Sequence, residues 1–429
     1  MPSGAAQSVV HREILAAWRI EQPRLITSLA RMLRDVPLAE ELTQDALVAA
    51  LESWPKTGLP ERPGAWLMAT AKRRALDQLR RAPMLARQHR MIAAALEVEQ
   101  SIMPDFDTDL DDDIGDELLR LIFTACHPVL PRESRAALAL RMVCGLTTEE
   151  IARAFLKTEA TVARRIVRAK RLLSESGLSY ESPRGKARDK RLPSVLEVVY
   201  LIFNEGYTAA RGEDWLQPRL CDEARRLGRV LTALAPEEPE VHGLMALMEL
   251  NASRSAARTT PDGEPILLMD QDRNLWDALQ IRRGLQALDR ASALGGHHGF
   301  YTLQAAIAAC HARAPNQAST DWSRIVELYG LLSTLTGSPV VELNRAVAVA
   351  MVAGPAAGLE IVDALSELPA LERYHLLPSV RGDLLQRMGR SAEAHAAFIV
   401  AAALTGNARE RALLERRAAG CSAAPVPAQ

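Results

Sequence analysis

The stretch that most constrains this chain covers residues 38–81: LAEELTQDALVAALESW, a Pro/Gly-rich break, then GAWLMATAKRRALDQLRR. Leu38, Leu42, Ala46, Ala49 and Ala50 recur at helical spacing, while Glu41, Gln44, Asp45 and Glu52 fall on the opposite side. This predicts an amphipathic helix with an acidic outer face. Residues 54–63 contain Pro55, Gly58, Pro60 and Pro63, which interrupt a helix and predict a loop. A second helix is predicted to begin near Gly64 or Ala65. Its buried stripe is Met68, Ala71, Ala75, Leu76 and Leu79, and Arg73, Arg74, Asp77, Arg80 and Arg81 crowd its outer side.

A second constraint lies downstream, in LTTEEIARAFLKTEATVARRIVRAKRLL. Thr147 and Glu150 have capping-box spacing, in which hydroxyl and carboxylate each satisfy a free amide at a helix start. Thr158 is placed to cap the next helix, and Ile151, Phe155, Val162, Ile166, Ala169 and Leu173 supply a core stripe. The pattern is a helix-turn-helix. Its second helix enters a major groove, so Thr158, Glu159, Thr161, Arg164 and Arg165 are candidates for base or nearby phosphate contact. Arg168, Lys170 and Arg171 better suit backbone phosphate.

Taken together, the two segments resemble the sigma-70 family, in its short extracytoplasmic-function form. Glu41, Leu42, Gln44 and Asp45 match the family's (D/E)LxQ(E/D) segment. Trp66, Ala71 and the run ALDQLRR ending at Arg81 match its AW…A…ALDxLRR segment of region 2, and GLTTEEIA with TVARRIVRAK resembles region 4. The position often held by Gly in the turn is Leu156, and the position often held by Asn in the −10 helix is Arg73. The resemblance implies that Glu41, Gln44 and Asp45 dock core RNA polymerase. It implies that Trp66, Arg73, Arg74, Asp77, Arg80 and Arg81 serve the −10 element of promoter DNA, and that Thr158, Glu159, Thr161, Arg164, Arg165 and Arg168 serve the −35 element.

Composition points to an all-α chain. Aromatic residues are 4% of 429, and strand-like alternation is scarce. The formal net charge is −1, but residues 1–191 hold 30 Lys and Arg against 26 Asp and Glu, so the basic surplus sits with the DNA-binding segments. Five cysteines, with no CxxC spacing, suggest neither a disulfide framework nor a zinc site, and a reducing cytoplasm is expected. No signal-peptide core or membrane-length apolar run is seen, so no membrane association is expected.

The expected organisation is region 2 over residues 10–82, an acidic linker over 83–116, region 4 over 117–176, a basic hinge over 177–192, and a helical C-terminal domain over 193–429. The linker contains seven aspartates between residues 105 and 116, and the hinge contains RGKARDKR. In the C-terminal part, Gly354 and Gly389 occupy equivalent places before PAAGLEIVDAL and RSAEAHAAFIVAAAL. These copies resemble tetratricopeptide helix pairs, which present a concave face to partners. With LIFNEGYTA, DGEPILLMDQDR and SPVVELNRAVA, they resemble the sigma subgroup carrying such a domain. That resemblance implies regulation through this domain, by contacts with the sigma regions, with polymerase or with a regulatory protein.

Enzyme chemistry is not expected. Asp270, Asp272 and Asn274 imitate a calcium loop, but Leu275 stands where Gly is required and Ile281 where Glu is, so helix caps are the reading. His297 and His298 read as a loop, and Asn204, Glu205, Tyr207, Asp222 and Glu223 as helix ties. No cofactor is implied. The competing reading is a stand-alone helix-turn-helix regulator with a helical sensor.

Overall fold

The computed structural model describes residues 4–33, 35–81, 118, 120–155, 157–176, 183, 186–207 and 218–422. The fold is all-α, as expected: among the described residues the strand-type pairing is one isolated bridge, Thr259 with Pro265. The chain divides into two compact units, residues 1–199 and 200–429.

In the first unit, α1 (Gly4–Leu33), α2 (Val36–Thr57) and α3 (Pro63–Arg81) pack on one another as a three-helix bundle. Its core is Ile14, Trp18, Leu25, Ile26 and Leu29 from α1, Ala39, Leu42, Ala46, Ala50 and Trp54 from α2, and Leu67, Ala71, Ala75 and Leu76 from α3. Two details differ from the sequence reading. α2 continues through Pro55 to Thr57, because a proline in the last turn removes an amide without breaking the packing of Trp54. On α3, Leu67 is the fully buried residue and Met68 is half-buried.

Residues 120–125 are helical, and α4 (Arg132–Met142), α5 (Thr148–Ala154) and α6 (Glu159–Glu175) follow. The acidic run at 105–116 lies outside the described residues. So do Leu156 and most of the segment 177–185.

The expected basic hinge is corrected in its second half. Lys186 opens α7 (Lys186–Tyr207), a helix that holds Pro193 internally. Tertiary contacts hold its basic start in helix: Arg191 donates to the Phe123 carbonyl at 3.0 Å, Ser194 donates to the Cys126 carbonyl at 2.6 Å, and Leu192 and Val195 are buried. The same helix crosses the expected boundary at 192/193.

The second unit is a succession of helices: α8 (Pro218–Leu234), α9 (Pro239–Ala252), α10 (Ala278–Ala293), α11 (Phe300–Arg313), α12 (Trp322–Thr336), α13 (Pro339–Val352), α14 (Pro355–Ser366), α15 (Leu376–Arg387), α16 (Ser391–Leu404) and α17 (Ala408–Ser422). From α11 on, each helix packs on the next. Close approach depends on small residues. A Cβ on Gly358 would lie 2.7 Å from the Ala350 Cβ, and one on Gly382 would lie 2.8 Å from the Phe398 ring, so α14 nests on α13 and α16 on α15. Gly354 and Gly389, the equivalent positions of the two copies, both have left-handed backbone, with φ of +92° and +76°.

Asp262 and Gly263 form the expected tight turn, with Gly263 at φ +80° and a Thr260 amide bond to the Glu264 carbonyl of 2.9 Å. The turn is bolted to α17. Glu264 pairs with Arg409 at 3.4 Å and Arg416 at 2.5 Å, and Arg409 also donates to the Asp262 carbonyl. The last helix of this unit is thus tied to the loop between α9 and α10.

Candidate nucleic-acid interface

Local signals place α2 and α3. Asp35 caps α2 by accepting from the Leu38 amide at 3.0 Å, and Pro37 sits where a missing amide costs nothing. With the apolar stripe facing α1 and α3, Glu41 is exposed and Gln44 and Asp45 are half-buried. On α3, Arg73 and Asp77 are exposed and Arg74 is half-buried. Arg80 and Arg81 end this helix, and their side chains lie outside the described part.

The structure brings two of the predicted groups together: Arg74 Nη1 lies 3.2 Å from Asp45 Oδ2. Both side chains keep substantial exposure, at 36% and 51%, so the pair contributes little stability and leaves each group exchangeable with an external partner. Trp66 stands edge-on to buried Trp54, with ring centroids 5.3 Å apart. Beside it an open groove of about 370 Å³ runs between the helices, lined by Glu52, Lys56, Trp66, Thr70, Arg73 and Arg74. An aromatic wall with a mainly cationic rim suits an unstacked base joined to a phosphate.

The helix-turn-helix forms by the signals that its sequence carries. The Thr147 amide donates to Glu150 Oε2 at 2.9 Å and the Glu150 amide to Thr147 Oγ1 at 3.1 Å, a reciprocal capping box. Thr158 caps α6 by accepting from the Thr161 amide at 3.3 Å. Ile151, Val162, Ile166, Ala169 and Leu173 are buried, whereas Phe155 is half-buried.

Outward from that core, Thr158, Glu159, Arg164 and Arg168 are exposed and Thr161 and Arg165 are half-buried. Arg165 is paired with Glu133 on α4, and Arg171 with Glu175 at 2.6 Å. Among the described residues Arg164 bonds its own helix, through Nε to the Ala160 carbonyl. Val167, missed in the sequence reading, is 65% exposed among these cations. Its signal was a β-branched apolar residue between Arg164 and Arg168, off the core stripe; such a group suits a thymine methyl.

Glu40 was also missed. It is 1% exposed, and its carboxylate faces Arg141 on α4, at 3.2 Å, and Lys170 on α6. Gln22 of α1 donates to the Arg141 carbonyl at 2.8 Å. One buried carboxylate thus ties the three-helix bundle to both α4 and the recognition helix.

The other candidates resolve as structure. Asp272 caps Asn274 at 2.9 Å and Asp277 caps α10, while His297 and His298 are exposed in a loop. Asp222 and Glu223 pair with Arg225 and Arg226. Among the described residues no group of three metal-ligating side chains is present, and no helix is long and apolar enough to cross a membrane.

Comparison with known proteins follows the same division. The family model "Sigma-70 region 2" matches residues 17–83, and "Sigma-70, region 4" matches residues 120–173. The chain belongs to the sigma-70 family, extracytoplasmic-function type. A third family model, of unknown function (DUF6596), matches residues 191–292 of this sigma factor. It is 42% identical over 410 residues, 94% of its length and 95% of the relative's, to the Uncharacterized protein R00370 of Rhizobium meliloti (strain 1021). It is 27% identical over 172 residues to the Probable ECF RNA polymerase sigma factor SigI of Mycobacterium tuberculosis (strain ATCC 25618 / H37Rv), covering 39% of this chain and 57% of that protein.

Proposed function

We propose that this sigma factor directs core RNA polymerase to specific promoters and helps open their DNA, under control of its C-terminal helical unit. The observation that carries the reading is the pairing of two DNA-suited surfaces in one unit: the Trp66 groove with its Arg73 and Arg74 rim, and the outer face of α6 with Arg164 and Arg168. A stand-alone regulator would use the second surface and has no use for the first.

In this reading Glu41, Gln44 and Asp45 dock the polymerase. Trp66, Arg73, Arg74, Asp77, Arg80 and Arg81 hold the −10 element, with one unpaired base in the groove against Trp66. Thr158, Glu159, Thr161, Arg164, Arg165 and Arg168 contact the −35 element. The cations act by neutralising phosphates and releasing counterions, which makes binding salt-dependent. No covalent step belongs to the sigma factor; its binding energy selects the promoter and stabilises the separated strand.

The test is run-off transcription on a promoter library with purified core polymerase and the full chain. Transcripts starting at defined −10/−35 sites are expected. Arg164→Ala is expected to weaken promoter binding and, if the contact is to phosphate, to reduce the salt slope by about one. Binding of promoter DNA without redirection of polymerase would sink the proposal. A chain ending after Tyr207, which keeps α7 whole, then gives the sign of C-terminal control.

A further inference from the structure

In the second unit three arginines gather around two aromatic rings. The Arg254 and Arg273 guanidinium carbons lie 5.7 and 4.9 Å from the Trp276 ring centroid, and that of Arg258 lies 3.7 Å from the Tyr207 centroid. Arg273 donates to the carbonyls of His311 and Ala314, at 2.7 and 2.6 Å, and to Thr320 Oγ1. Arg254 donates through Nη2 to Tyr207 Oη and to Asn251 Oδ1, both at 2.8 Å. Every acceptor of Arg254 and Arg273 is thus neutral, and the Nε and Nη1 edge of Arg254 has no acceptor among the described residues.

Asp270 is exposed and makes no ion pair among the described residues, and four other nearby acids are committed elsewhere. Asp272 and Asp277 cap helical turns, Asp321 caps α12, and Glu249 is paired with Arg225 and Arg229. The cluster also raises its own electrostatic cost. Burial and then the nearby Arg254 lower the Arg273 pKa, and burial, Arg254 and Arg273 together hold His311 down at about 4. A second feature lies beside them: Trp276 is 7% exposed, and its indole Nε1, like that of Trp54, is buried without a hydrogen-bond partner among the described residues. Buried donors in folded proteins are nearly always satisfied.

We propose that Arg254, Arg273 and the indole N–H of Trp276 form a binding site for the oxyanion group of a small ligand, a carboxylate or a phosphate. Such a group supplies the charge that the guanidiniums lack and accepts from donors of fixed geometry, the combination in which arginine excels. The site would make the C-terminal unit responsive to a small anionic metabolite. This inference does not depend on the promoter-recognition reading.

The experiment is thermal unfolding of the full chain titrated with inorganic phosphate and, separately, with citrate, against sodium chloride at matched ionic strength. A saturable rise in the unfolding temperature beyond the chloride control is expected with at least one anion. Phosphate alone identifies a phosphate ligand, citrate alone a carboxylate, and both a general oxyanion site. Because anions also bind basic DNA-binding helices, the decisive comparison is with Arg254→Gln, which should lose the saturable component. Trp276→Phe keeps the ring and removes one donor, and it should raise the half-saturating concentration about tenfold. The Trp276 variant also keeps the test decisive if Arg254→Gln fails to fold. No saturable rise with either anion, or an equal rise in the variants, overturns the site.

Discussion

Glu40→Gln is the most informative single change in the N-terminal unit. The side chain is 1% exposed and faces Arg141 Nε at 3.2 Å and Lys170 Nζ, so the variant keeps the shape and removes the charge that both cations meet. At an effective dielectric of about 20, opposite unit charges at this separation attract by roughly 5 kcal/mol. Desolvation of the carboxylate offsets most of that attraction in the wild type. Deleting one partner of a fully buried pair costs about 3–5 kcal/mol, because the remaining charge is stranded. Arg141 and Lys170 keep 19% and 25% exposure, and water takes up part of the loss. The expected cost is therefore about 2–3 kcal/mol, with the residual screening of the cations discounted. Urea unfolding with the slope held at its wild-type value measures the cost, and hydrogen exchange on α4 and α6 amides localises it to the first unit. Coupling with Arg141→Gln is expected at roughly 1–2 kcal/mol. A loss below about 0.5 kcal/mol, or no coupling, would refute the view that Glu40 joins the helical bundle to the helix-turn-helix.

Gly382→Ala should cost about 1–3 kcal/mol in urea unfolding, since its Cβ would meet the fully buried Phe398 ring and force α15 from α16; a neutral result would show that these helices separate easily. His311 titrates lower in the folded chain than in the unfolded one, so its neutral form stabilises the fold above pH 6.5, and that contribution is lost as pH falls toward 4. Over this window wild type should lose roughly 1.4 kcal/mol more per pH unit than His311→Gln, and parallel curves would contradict the assignment. Burial pushes the Cys126 thiol up to about 12, so at pH 8 iodoacetamide should leave it unmodified in the native chain and label it after denaturation. Rapid native labelling would mean that the packing around Ser194 and Cys126 opens.

Much of the fold was legible because its signals are local. The capping box of Thr147 and Glu150, the Thr158 cap, the apolar stripe of α6 and the turn at Asp262 and Gly263 each depend on residues a few positions apart. The same holds for the two glycines, Gly354 and Gly389, that precede matching helices. Other features needed the third dimension. Pro193 and a run of Lys and Arg suggest a hinge, yet contacts with Phe123 and Cys126, 68 positions away, keep Lys186 to Pro193 in helix. Val167 was passed over because it lies off the core stripe and, being apolar, was not counted with the polar and basic contact candidates.

The candidate site divides in the same way. Sequence alone determined which residue types face outward on α2, α3 and α6, since helical periodicity assigns the faces once the apolar stripe is known. Tertiary structure decided their partners: that Arg74 meets Asp45, that Arg165 is held by Glu133 while Arg164 is left to solvent, and that Trp66 walls a groove. It also decided that Glu40 is a buried tie, with partners 101 and 130 positions away. Charge and polarity are written residue by residue, but burial and pairing depend on which distant surfaces the packing brings within a few ångströms, and no local pattern carries that information.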